Sequence, residues 1–307
     1  DDVVMQRLGL AVVDEQHRFG VAQRQRLRQK SGEMPNFLAM TATPIPRSLA
    51  LTLYGDVDVS EIREMPPGRT PVETSVVSPL QRSDAYAFVR SEVAAGRQAF
   101  VICPIIEEND KLGVRSATAE YERLHTEVFP DLRVDLLHGR LPARDKEQAM
   151  QRFASGASDV LVATSVVEVG VDVPNATVML IEGAERFGLA QLHQFRGRVG
   201  RGGHKSYCLL FEGGVDDEGS SRLAQVASTR SGFELAEIDL RLRGAGDVVG
   251  MRQHGLPEMR VADLLDVALA TRARNAAKLW LDEDPQLTAY EPLSTALDRY
   301  RAVFDLD

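Results

Sequence analysis

The sequence predicts an α/β fold built on a doubly wound parallel sheet, and three observations carry that reading. Short, continuous apolar runs recur along the chain: Ala99–Cys103, Val134–Leu137, Val160–Ala163, Thr177–Ile181 and Tyr207–Phe211. Such runs mark strands buried on both faces, as in a parallel sheet. Segments of helical period lie between them: Asp84–Ala95, Thr118–Phe129, Arg144–Ala154 and Leu189–Arg196. Five strands with crossover helices complete one domain of this class.

Upstream, Leu8–Val13 is a further apolar run closed by Asp14 and Glu15, and Phe37–Met40 is another, closed by Thr41-Ala42-Thr43-Pro44. Between them Val21–Lys30 is helix-like and basic. Met65-Pro-Pro-Gly-Arg-Thr-Pro71 holds three prolines and a glycine, which continue neither a helix nor a central strand. It reads as a linker. After Gly214 the strand pattern stops. Glu218–Thr229, Phe233–Leu242 and Val261–Leu281 read as helices, with more helix after Pro285. The domains expected are 1–65, a linker at 66–72, an α/β domain at 73–214 and a helical tail at 215–307.

At 307 residues the chain is long enough for about two domains. Its formal net charge is -9, which argues against loose nucleic-acid binding over the whole surface but leaves room for a basic stripe. No apolar run approaches the roughly 18 residues of a membrane span, so no membrane partner is expected. Cys103 and Cys208 lie in apolar runs and read as buried thiols of a reducing compartment. The chain opens Asp1-Asp2 with no start methionine, which suggests a piece of a longer protein.

The stretch Arg186–Lys205 holds five basic residues and no acidic one. Within it runs Gln194-x-x-Gly197-Arg198-x-x-Arg201. That spacing places both guanidinium groups on one side of a helical turn. Planar, permanently charged forks suit a triphosphate whose transition-state charge lies on oxygen. Asp14 and Glu15 at a strand end form the carboxylate pair of a nucleotide hydrolase: one holds Mg²⁺ through its water shell, the other takes a proton from water. Such pairs also occur as plain strand ends, and the tetrad Asp14-Glu15-Gln16-His17 is rarer. Thr41 and Thr43 would be delivered beside it by a neighbouring strand. In Ala163-Thr164-Ser165 through Gly170 and Asp172, hydroxyls at a helix start can hold a phosphate. Gly170 permits close backbone approach there, and Asp172 can accept from a ribose hydroxyl. Arg241 to Gly255 contains four glycines between helical segments and reads as a structured loop.

Taken in order, these motifs resemble those of the superfamily 2 helicases: DExH at Asp14–His17, TAT at Thr41–Thr43, ATxxxxGxD at Ala163–Asp172 and QxxGRxxR at Gln194–Arg201. Within that superfamily the chain resembles the RecG family of fork-remodelling translocases. The resemblance rests on Asp14-Glu-Gln-His-Arg-Phe-Gly-Val21, Thr41-Ala-Thr-Pro-Ile-Pro-Arg47, Pro66-Pro-Gly-Arg-Thr-Pro71, Arg243-Gly-x-Gly246 and Gly250-Met-Arg-Gln-His-Gly255.

The resemblance implies two RecA-like lobes with ATP between them. This chain would hold lobe two, an incomplete remnant of lobe one and a helical translocation tail. It implies ATP and Mg²⁺ as cofactors. Asp14 and Glu15 serve Mg²⁺ and the attacking water, and Gln16, His17, Gly170 and Asp172 bind the nucleotide. Gln194, Arg198 and Arg201 reach the phosphates, and Thr41 and Thr43 couple nucleotide state to lobe position. Thr164, Arg241, Arg243, Arg252 and Gln253 contact or drive DNA. The implied partners are branched double-stranded DNA (forks and Holliday junctions) and single-stranded DNA-binding protein, with the protein acting as a cytoplasmic, nucleoid-associated monomer.

No Gly-Lys dipeptide occurs, so the phosphate-cradling Gly-x-x-x-x-Gly-Lys-Ser/Thr loop is absent from these 307 residues. The chain alone is therefore expected not to hydrolyse ATP, and its first 65 residues to pack irregularly or be poorly ordered. Two other readings stand beside this one. One is a translocase of the Mfd type, acting on stalled polymerase. The other is a non-catalytic DNA-binding or interaction module.

Overall fold

The structure, a computed structural model, describes residues 8–14, 35–41, 60–62, 64, 69–104, 111–164, 172–213, 217–248, 267–285, 287 and 289–304. Two strands lie in the first part: β1 (Leu10–Val13) and β2 (Asn36–Ala39), parallel, with Val13 opposite Ala39. Ala11 and Val13 are buried, whereas Leu10, Val12 and Leu38 on the opposite face are about half exposed. The expectation of irregular packing over residues 1–65 otherwise lies outside the described residues.

The main sheet has six parallel strands in the order β3-β8-β7-β4-β6-β5. They are β3 (Val72–Val77), β4 (Gln98–Ile102), β5 (Val134–Leu137), β6 (Val160–Ala163), β7 (Ala176–Ile181) and β8 (Ser206–Phe211). Sequence reasoning found five and missed β3. Its run Val72-Glu-Thr-Ser-Val-Val alternates in burial, because β3 is an edge strand paired only with β8. A half-exposed strand lacks the unbroken apolar signature that marks the others.

The helices follow from period and facing. These are α1 (Arg82–Ala94), α2 (Lys111–Arg123), α3 (Ala143–Ala154), α4 (Leu189–Arg196), α5 (Asp217–Ser228), α6 (Gly232–Val248), α7 (Val267–Glu283) and α8 (Glu291–Phe304). Alternate strand residues feed two cores, since successive side chains point to opposite faces. Ala99, Val101, Val160, Val162, Val178 and Leu180 pack under α1 and α2 against Val89, Ala117 and Leu124. Phe100, Ile102, Leu161, Met179, Ile181 and Leu210 pack under α3–α6 against Phe153, Leu192, Phe195, Val226 and Leu235. The result is three layers, with the sheet in the middle. Burying each such Leu, Ile or Phe side chain contributes roughly 1.5–3 kcal/mol.

The α2 helix starts earlier than the Thr118 expected, and after Arg123 it widens into a π-helical turn over Leu124–Val128. The last helices also differ from expectation. The glycine-rich segment after Arg241 was read as loop, yet α6 runs on through Gly244 and Gly246 to Val248. Two glycines cost a helix about 2 kcal/mol relative to alanine, which neighbouring packing can offset. Arg241 and Arg243 therefore stand on a helix. No described helix is long and apolar enough to cross a membrane.

Candidate functional site

The arginine pair sits at the end of α4, and its geometry follows from two glycines. The helix closes at Arg196, with Gly197 as its C-terminal cap: the Gly197 N–H donates to the His193 carbonyl at 3.0 Å, and the Arg198 N–H to the Phe195 carbonyl at 2.9 Å. Gly200 has φ +75, in the left-handed region that glycine tolerates. Arg198 and Arg201 thus lie on the turn after the helix and not along one side of a helical turn, which corrects the sequence expectation. The turn is packed from two directions. A side chain on Gly202 would meet the Pro174 carbonyl at 2.5 Å, and one on Gly200 would meet Val72 Cγ2 at 2.9 Å.

Within this turn Arg201 Nη1 lies 3.3 Å from an Asp172 carboxylate oxygen, and Arg201 Nε donates to the Gly197 carbonyl at 3.2 Å. The structure thereby brings together three predicted positions: Asp172 from the segment before β7, and Gly197 and Arg201 after α4. Gln194 stands on the last turn of α4, half-buried, and Arg198 is half-buried just beyond it. A third arginine, to which the sequence reading gave no site role, joins them: Arg69 Nη2 donates to the same Gly197 carbonyl at 2.8 Å. Burial and the Arg201 charge lower its pKa.

Arg196, also missed by the motif, is buried and faces the tail. Its guanidinium donates to the carbonyls of Val226 (3.1 Å), Thr229 (2.8 Å) and Arg230 (3.3 Å) at the α5–α6 junction. It lies 2.7 Å from His193 Nδ1. Burial, then the Arg196 charge, lowers His193 to about 4, so the ring is neutral near pH 7 and accepts from Arg196. The backbone end of the arginine turn is in this way tied to the helices that lead to Arg241.

The remaining predicted residues are placed as follows. The Met40 N–H donates to the Val13 carbonyl at 2.7 Å, which sets Asp14 and Thr41 at adjoining strand ends. Thr164 directly follows β6 and is 1% exposed, with its N–H on the Leu137 carbonyl. Arg241 is exposed on α6 with Glu237 at 3.6 Å. Glu15, Gln16, His17, Thr43, Gly170, Arg252 and Gln253 lie outside the described residues.

A separate cleft of about 350 Å³ opens at the carboxyl ends of β4 and β7, lined by Arg82, Cys103, Pro104, Glu120, Arg123 and Glu182 among others. Its charges are matched in pairs. Arg82 donates to both Glu182 carboxylate oxygens, at 3.3 and 2.9 Å, and Arg123 to both of Glu120. Burial, then Glu120, raises Glu182 above the usual carboxylate range. The sequence motifs lie at the arginine turn and not in this cleft.

The residues fit a nucleotide better than a caged metal. Two guanidinium groups on one turn with an exposed carboxylate beside them match phosphate oxygens and a ribose hydroxyl. Among the described residues no group of three or more metal-binding side chains exists. A strand-end carboxylate such as Asp14 would suit Mg²⁺ held mainly through water and phosphate.

Residues 84–203 match the family model described as helicase conserved C-terminal domain. Residues 229–297 match that of ATP-dependent DNA helicase RecG, domain 3, C-terminal. Over 298 residues the chain is 51% identical to the ATP-dependent DNA helicase RecG of Synechocystis sp., covering 97% of this chain and 36% of that protein. It is 53% identical over 275 residues to that of Thermotoga maritima, covering 89% and 35%. A solved RecG bound to a three-way DNA junction matches with TM-score 0.67 and 48% identity, over 88% of this chain and 34% of that one. The Mycobacterium smegmatis helicase Lhr, at TM-score 0.53 and 21% identity, shares the fold alone. The chain thus spans little more than a third of the length of these curated relatives. With a RecA-like six-stranded sheet, the arginine turn and this identity over nearly its whole length, the chain belongs to the RecG family of ATP-dependent DNA helicases.

Proposed function

We propose that this chain supplies the second motor lobe and the translocation tail of an ATP-dependent double-stranded DNA translocase that remodels forks and Holliday junctions. One observation carries this reading: the turn bearing Arg198 and Arg201 is tied to Asp172 on one side, while the same helix end is pinned through Arg196 to the tail. Phosphate binding and tail position then share one rigid element. The domain division is 1–65 as part of lobe one, 66–72 as connector, 73–214 as lobe two and 215–307 as tail.

When bound, ATP with Mg²⁺ supplies a phosphoryl bond whose cleavage switches the affinity between lobes. Arg198 and Arg201 hold charge on its phosphate oxygens, and Gln194 orients beside them. Asp172 and Gly170 hold the ribose end, with Gln16 and His17 on the opposite lobe. Asp14 would help hold Mg²⁺, and Glu15 would serve as the base toward water. Thr41 and Thr43 sense the phosphate state. The closed lobe pair is favoured with nucleotide and released after hydrolysis, a population shift. Arg241, Arg243, Arg252 and Gln253 lie along the tail that would track the duplex, with the segment after Thr164 against its backbone. The partners are branched duplex DNA and single-stranded DNA-binding protein, for a monomer in the bacterial cytoplasm at the nucleoid.

The test uses the full-length protein. R201M and R198M are each expected to lower fork-stimulated ATP turnover by about 10³-fold or more, the size expected of arginine fingers, while fork binding without nucleotide persists. Undiminished turnover in both variants would remove the assignment. A fork unwinding assay run alongside distinguishes loss of chemistry from loss of DNA.

A further inference from the structure

The Gly197 carbonyl receives two arginines, Arg69 Nη2 at 2.8 Å and Arg201 Nε at 3.2 Å. A carbonyl oxygen has two lone pairs, and both are engaged here by positive groups. Asp172 holds Arg201 at 3.3 Å, and its charge also acts on Arg69. Two guanidinium groups therefore share one carbonyl. Burial, then the charge of Arg201, lowers the Arg69 pKa.

Arg69 is fixed by what surrounds it. The neighbouring Thr70 Oγ1 donates to the His204 carbonyl at 3.2 Å. The Thr70 carbonyl and Val72 Cγ2 come so close to Gly200 that a methyl there would lie 3.2 and 2.9 Å from them. Lys205 reaches back to Glu73 at 2.8 Å. The end of the proline-rich segment is thus laid along the arginine turn from Gly197 to Lys205, and Arg69 enters the site from it.

We propose that Arg69 is a positioning residue for Arg201: it holds the Gly197 carbonyl, so that this acceptor keeps a donor when Arg201 turns from Asp172 toward the phosphates of a bound nucleotide. This rests on the reading of Arg201 as a phosphate-binding residue. At rest Arg201 has two partners, and its departure would leave both short of a donor. Arg69 removes that obstacle. The Gly197 carbonyl keeps a donor, Asp172 keeps a cation nearby, and a like charge disfavours the return of Arg201. Because Arg69 belongs to the segment leading into β3, a displacement of that segment reaches Arg201 through a single carbonyl.

The test is steady-state ATP hydrolysis by the full-length protein on forked DNA, with thermal unfolding of each variant. R69M is expected to lower kcat by about tenfold and leave KM for ATP within about twofold, as loss of a transition-state contact does. R69K keeps the charge and one donor, so it recovers part of the loss. In an R201M background, R69M causes no further drop, because the two act through one group. An equal drop from R69M in both backgrounds overturns the proposal, as does a raised KM at unchanged kcat. If R69M fails to fold, R69Q and R69K decide: turnover in both equal to that of the parent protein overturns it, and a graded loss confined to the Arg201-containing background supports it. Full turnover by R201M alone would instead sink the reading of the site, and this proposal with it.

Discussion

Arg196, buried, and His193, half-buried, lie in contact at 2.7 Å. Arg196 gives its donors to the Val226, Thr229 and Arg230 carbonyls, so R196M leaves acceptors without a partner. A cost of about 1–3 kcal/mol follows from their desolvation, read as a lower unfolding midpoint in denaturant. The histidine adds a pH dependence of definite sign. His193 is lowered to about 4 in the folded state by burial and Arg196, against about 6.5 in an unfolded chain. The unfolded state takes up the proton first. Stability from this group is therefore complete above about pH 6.5 and falls as the pH drops to about 4, by up to about 3 kcal/mol. H193Q keeps an acceptor for Arg196 and should flatten this part of the stability profile. A profile unchanged by H193Q would contradict the buried, neutral histidine.

The arginine turn is the element on which the account depends, and it is held by backbone approach as much as by side chains. Gly202→Ala would set a methyl 2.5 Å from the Pro174 carbonyl, a contact that only movement of the turn can relieve. The shift should displace Arg201 from Asp172 and lower ATP turnover of the full-length protein about tenfold or more, since misplacement by an ångström is enough to lose such factors. Gly203→Ala, where the added methyl meets nothing within 4 Å, is the control expected to retain turnover. How far this element was legible follows from its chemistry. The Gln-x-x-Gly-Arg-x-x-Arg spacing identified the residues, because function fixes their types. It did not give their conformation: three-residue spacing suggests a helix, and only the glycines at 197 and 200 indicate a turn. Arg69 stood out only as part of the Pro66–Pro71 segment, and its place at the site was not legible because its contact is to a backbone carbonyl 128 residues away, and a carbonyl leaves no mark in a sequence. The same limit explains β3. Its neighbour β8 makes it a strand, whereas its own alternation is that of a half-exposed edge. The central strands were legible almost to the residue, since burial on both faces demands unbroken apolar runs.

At the scale of the molecule, a protein of formal net charge -9 carries in Arg186–Lys205 a stretch with five basic residues and no acidic one. The six-stranded sheet gives those groups a rigid base, and α5 and α6 carry the same base toward the tail. The β1–β2 ladder brings Asp14 and Thr41 to adjoining strand ends. No Gly-Lys pair is present in the chain to complete a phosphate-cradling loop. The chain spans little more than a third of the length of the RecG relatives it matches, and the proposed catalytic cycle needs a protein of their length. ATP hydrolysis, with and without forked DNA, by the 307-residue chain and by the full-length protein, tests that division most directly. The account predicts no turnover by the chain alone and fork-stimulated turnover by the full-length protein. Turnover by the 307 residues themselves would mean that another phosphate-binding loop operates within them, and the site described around Arg198 and Arg201 would have to be redrawn.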